Sequence, residues 1–122
     1  MPLLLKLLLL ANTVFEVAIA AIMLFAAQVF FTNGNELTFS VARTFGFAAL
    51  AIATLSLTML LTKNANIRYG LITLAVFHLG LTISQAINFT LKISPLPVVF
   101  IHLVFAGLFI YSIILSAEKP LT

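Results

Sequence analysis

Glu16, Arg43, His78 and His102 stand inside long apolar stretches, and with Asn12, Thr82 and Gln85 they are the residues whose types and spacing could do chemistry. An ionisable group at the centre of a membrane helix costs roughly 2.5–3.5 kcal/mol on insertion scales, so it faces protein, water or a ligand rather than lipid. Asn12 and Glu16 are one turn apart and share a helix face. His78, Thr82, Gln85 and Asn88 or Phe89 recur at intervals of three and four as a single stripe one face wide. Each group also has a plain structural use. Arg43 can snorkel to headgroups, the histidines can bond a neighbouring hydroxyl or carbonyl, and Thr82, Gln85 and Asn88 can join helices. Glu16, in mid-stretch, is the hardest to explain without a specific role.

Catalysis finds no support in these residues. There is no arrangement of nucleophile, base and orienting group, and no cluster with metal-ligand spacing, so no enzyme is expected. The absence of cysteine excludes disulfides, thiolate metal sites, a cysteine nucleophile and covalent c-type haem. His78 and His102 are the candidate axial ligands of a b-type haem. Counted from the ends of their apolar runs they lie roughly 18 Å and 10 Å deep, an offset near 8 Å that makes a shared iron awkward.

The elements that must position these groups follow from composition. Of 122 residues, 63% are hydrophobic and 7% charged, and the mean hydropathy is +1.26. Soluble domains are about 45–50% apolar and about 25% charged, which excludes that class. A net charge of +3 on so few charges cannot build a nucleic-acid-binding stripe. Charge-free segments at 17–35, 44–62, 69–91 and 93–117 each approach the ~20 residues a membrane helix needs. The expected fold is all-α: one polytopic domain over 1–122, with helices at about 3–31, 38–62, 67–91 and 95–117 in an antiparallel up-down-up-down bundle. The connections at 32–36, 63–66 and 92–97 carry turn and capping residues.

A secretory signal, with Lys6 as its basic region and cleavage after Ala18-Ile19-Ala20, competes for the N-terminal segment. The unbroken apolar run to Phe31 and the position of Glu16 favour a span. Lys6, Lys63, Arg68 and Lys119 fall on one side, against Lys92 and an acidic turn on the other, which places both termini in the cytoplasm. Small residues should mark helix contacts: Ala42-x-x-x-Gly46 and Ala49-x-x-x-Ala53 in the second helix, Ala20, Ala21, Ala26 and Ala27 in the first, Gly70 and Gly80 in the third, and Ala106-Gly107 in the fourth. By depth, Arg43, Gln85 and His102 form one layer, roughly 8–10 Å in, and Glu16 with His78 a second near mid-membrane. A Glu16–Arg43 pair is the alternative if the first helix slides or tilts.

Asn12-x-x-Phe15-Glu16, Ala42-Arg43-x-x-Gly46, Phe77-His78 and Ile101-His102-Leu103 together resemble the DoxX-like small four-helix bacterial membrane proteins. That resemblance implies a compact membrane bundle, in some members linked to quinone or thiol redox systems, and it carries no catalytic residue. The length, four spans and first-helix Glu16-Val17 are also similar to the small multidrug-resistance transporters, which implies proton-coupled exchange on Glu16.

The leading expectation is a non-enzymatic protein of a cell membrane, on these likenesses the bacterial inner membrane. Asn12, Glu16, Arg43, His78, Thr82, Gln85 and His102 would form an internal polar site for a lipid or quinone, or would fix a larger membrane complex. Proton-coupled transport by a homodimer through Glu16 is the alternative, and a haem-binding redox subunit the third. No cofactor is required by the sequence. The expected partner is the lipid bilayer, with a second copy of the chain or a larger membrane complex as further candidates.

Overall fold

Leu-rich and Ala-rich runs favour helix, and Pro97 falls in the first turn of its run, where proline is tolerated. The computed structural model describes residues 1–62, 67–91 and 95–118. Within them lie four α-helices: α1 Leu3–Phe25, α2 Glu36–Leu61, α3 Ile67–Thr90 and α4 Leu96–Glu118. All four are long and apolar enough to cross a membrane. The turns expected at 63–66 and 92–94, and Lys119, lie outside the described residues.

The first helix stops at Phe25, six residues short of the expected 31. Ala26 leaves helical geometry with φ −141° and ψ 33°, and Ala27–Val29 form one 3-10 turn that lies against α2. Val29, Phe30, Phe31 and Thr32 are β-branched or aromatic and have poor helix propensity, so hydropathy continues where the helix does not. The second helix begins at Glu36, two residues earlier than expected. Asn35 explains the start: its Oδ1 accepts from the Thr38 backbone N–H at 2.9 Å and from Thr38 Oγ1 at 3.0 Å, while Glu36 complements the positive helix end.

The chain falls into two compact units. One comprises Leu9–Thr62, the other Met1–Leu8 with Lys63–Thr122. In the first unit α2 buries Ala42, Gly46, Ala49, Ala53, Ser56 and Met59, a stripe at helical spacing. Along α1, Leu9, Asn12, Thr13, Glu16 and Ala20 are buried with the same period. Following α1 from Asn12 to Leu24, its neighbours on α2 run back from Ser56 to Gly46. At Gly46 the approach is tight, since a Cβ there would meet Leu24 Cγ at 2.9 Å and Met23 Cβ at 3.1 Å. In the second unit α3 packs on α4, with Leu71, Leu74, Ala75 and His78 facing inward from α3, and His102, Ala106, Phe109 and Ser112 from α4.

Not every small residue marks a contact. A Cβ on Gly80 or Gly107 would meet nothing within 4 Å, so these two glycines sit in open space, contrary to expectation, while Ala106 beside Gly107 is buried. The difference is measurable. Gly46→Ala is expected to lower stability in detergent micelles by about 1–3 kcal/mol through overpacking. Gly107→Ala should leave the unfolding transition in place or raise it, because alanine is the better helix former.

Candidate functional site

In the unit Leu9–Thr62, the polar stripe of α1 turns toward α2. Asn12 Nδ2 donates to Ser56 Oγ at 2.8 Å, and both residues are completely buried. Ser56 was not among the residues singled out by type, yet it continues the spacing Ala42, Gly46, Ala49, Ala53 on one face. Thr13 spends its hydroxyl on its own helix, donating to the Leu9 carbonyl at 2.8 Å. Glu16, one turn beyond Asn12, is fully buried.

Arg43 has different surroundings. Its exposed side chain lines a groove of about 550 Å³ whose other walls include Val17, Ala21 and Leu24 from α1 and Phe47 and Leu50 from α2. Positions 17, 21 and 24 share one face of α1, and 43, 47 and 50 one face of α2. That second face lies beside the buried small-residue stripe, so closure at Gly46 opens the groove alongside it. A smaller recess of about 190 Å³ adjoins, with Arg43, Gln28, Phe39 and Ala27 among the residues that line it. In the α1–α2 register Arg43 is level with the end of α1, and Glu16 with the neighbourhood of Ala53. The two are separated by roughly 14 Å of helix axis, so the register sets Glu16 and Arg43 at different depths.

In the other unit, His78 on α3 and His102 on α4 are buried, with their Nδ1 atoms 3.1 Å apart. One Nδ1 carries the proton and donates while the other accepts, so the two imidazoles hold complementary tautomers. Phe105 and Phe109 follow His102 on the inner face of α4. The His78 ring stacks on both, with centroids 4.9 Å and 5.7 Å away, and Phe77 meets it edge-on at 5.3 Å. These three phenylalanines pack the His78 ring in place.

The expected 8 Å offset between the histidines is therefore corrected, and so is their assignment to separate layers. His78 lies 12 residues before the end of α3 and His102 six after the start of α4. Rings in contact then require the two helix ends to be staggered by roughly 9 Å, whereas the depth estimate took them as level. The haem reading also meets an obstacle. Opposite axial nitrogens would stand about 4 Å apart, twice a metal–imidazole bond of about 2.0 Å. A direct contact of 3.1 Å leaves no room for a porphyrin between these atoms. Thr82 Oγ1 donates back to the His78 carbonyl at 2.8 Å, which uses its hydroxyl inside α3 rather than between helices. Gln85 and Asn88 are half-buried on the same helix.

A histidine pair of this kind is costly to break on one side only. His78→Leu or His102→Leu should each destabilise the protein by about 1–3 kcal/mol, while the double variant should lose less than the sum. A double-mutant cycle of unfolding in micelles reads the coupling; strict additivity would mean that the contact contributes nothing. Compared with family models, with curated proteins and with solved structures, the chain gives no match.

Proposed function

We propose that this chain is a non-catalytic, multi-pass membrane protein that holds a lipophilic molecule with a polar head, a lipid or quinone, in the groove between α1 and α2. The observation that carries the reading is the groove itself: apolar walls from two helices with one cation, Arg43, among them. Its volume of about 550 Å³ falls within the roughly 300–1,000 Å³ of small-molecule sites, which pair apolar linings with a few placed polar groups. Four helices of crossing length support placement in a cell membrane. The α1–α2 register and the short connections support an antiparallel up-down-up-down arrangement. Lys6 and Arg68 on one side, with Lys63 and Lys119, support cytoplasmic termini. The resemblance to the DoxX-like group points to the bacterial inner membrane. A structural subunit of a larger membrane complex would use the same groove for a partner helix.

Ala21 is exposed on the groove wall, so a larger side chain there fills the groove with little disturbance of the buried α1 face. Native mass spectrometry of protein extracted gently from its membrane should show a retained lipid-sized or quinone-sized mass. Ala21→Phe should lose it while keeping the helical circular dichroism of the parent. A bare wild-type protein would count against ligand binding and move the assignment to a structural subunit.

Glu16 keeps proton-coupled transport as a second reading, because an acid in the middle of a helix of crossing length is what such exchange employs, and its complete burial means that the site must open to water for each exchange. Under that reading, binding of a lipophilic cation to the reconstituted protein rises with pH and is abolished by Glu16→Gln. Binding unaffected by the substitution would exclude it.

A further inference from the structure

The position of Arg43 along α2 says which end of the ligand it meets. With 26 residues, α2 is ~39 Å long, about 9 Å more than a hydrocarbon core of ~30 Å. Centred in a bilayer, it leaves ~5 Å in each headgroup layer. Arg43, seven residues after the start of α2 at Glu36, then lies ~5 Å inside the hydrocarbon edge, within snorkelling reach of the interface. Leu50, at the far end of the groove, lies near the midplane. The groove therefore spans the depth of one leaflet, with its cation at the headgroup end.

We infer that the groove takes one acyl chain of an anionic phospholipid from the surrounding leaflet, with its phosphate on the Arg43 guanidinium beside the recess that Gln28 lines. This rests on the groove being a ligand site and names the class of ligand. Charge complementarity favours an anionic head: Arg43 is the one charged residue lining either cavity. A guanidinium presents donors in a fork that matches phosphate geometry. The Gln28 carboxamide adds a neutral donor that suits a glycerol hydroxyl or a second phosphate oxygen. A quinone has no anionic head and would leave Arg43 without a counter-charge.

Delipidated protein in a mild detergent, incubated with phosphatidylglycerol or phosphatidylcholine of identical chains and read by native mass spectrometry, separates the possibilities. Wild type should retain phosphatidylglycerol at least about tenfold over phosphatidylcholine. Arg43→Gln should retain both equally and weakly, and Arg43→Lys should recover part of the preference. Ala21→Phe should lose both lipids although Arg43 is intact. Equal retention of the two lipids by wild type would overturn the headgroup assignment while leaving the groove a lipid site. A phosphatidylglycerol preference that survives Ala21→Phe would also overturn it, by showing Arg43 to act as an ordinary interfacial cation. Retention of neither lipid by wild type would instead fell the underlying reading of the groove.

Discussion

The approach of α1 to α2 at Gly46 is the constraint on which the Leu9–Thr62 unit depends. Leu24 Cγ lies 2.9 Å from the place a Cβ would occupy, so even a methyl group would force the Leu24 side chain or the helix that carries it to move. Helices in lipid gain nothing from hiding apolar surface, and close packing of small residues must supply what the hydrophobic effect supplies in water. Once Gly46 is seated against Met23 and Leu24, the register follows, and Ser56 arrives at Asn12. The flank of the same contact, lined by Ala21 from α1 and by Phe47 and Leu50 from α2, is left unfilled. Contact and groove are thus two consequences of one pattern of residue sizes.

Polar groups in both units are fitted to their surroundings by direct hydrogen bonds. Asn12 and Ser56 join α1 to α2, and His78 and His102 join α3 to α4. Such bonds in membrane proteins contribute on average only about 0.6 kcal/mol, so specificity of register is their larger effect. Asn12 meets a hydroxyl of α2 at the level of Ser56, and His78 meets a ring nitrogen of α4 at the level of His102, with Phe105 and Phe109 stacked on its ring. Arg43 differs from all of these in being exposed along an apolar groove. That contrast is why the ligand assignment rests on Arg43 rather than on the buried groups.

Residue spacing made much of this legible. Ala42, Gly46, Ala49 and Ala53 are small at one helical period, and all four are buried. The same rule misread Gly80 and Gly107, because a missing Cβ matters only where a bulky neighbour stands opposite, and one helix's sequence does not contain its neighbour. The end of α1 was hidden for another reason. Hydropathy stays high through Phe31, and the break at Ala26 comes from the weak helix propensity of Val29, Phe30, Phe31 and Thr32 with no proline or glycine before Gly34. Depth counting separated His78 from His102 because it took the ends of α3 and α4 as level. Ser56 and the stripe 43, 47, 50 could have been found by extending the period already visible on α2. That this stripe borders 17, 21 and 24 on α1 needed the three-dimensional register.

Solid-state NMR of the protein with ¹⁵N-labelled arginine in phosphatidylglycerol bilayers tests the central claim most directly, by phosphorus–nitrogen dipolar recoupling between lipid phosphate and guanidinium. Only Arg43 and Arg68 contribute to that signal, and Arg43→Gln identifies the share of each. Strong dephasing of the Arg43 guanidinium, lost on Ala21→Phe, is the outcome required by a lipid seated in the groove. An Arg43 signal that does not respond to filling the groove would contradict it.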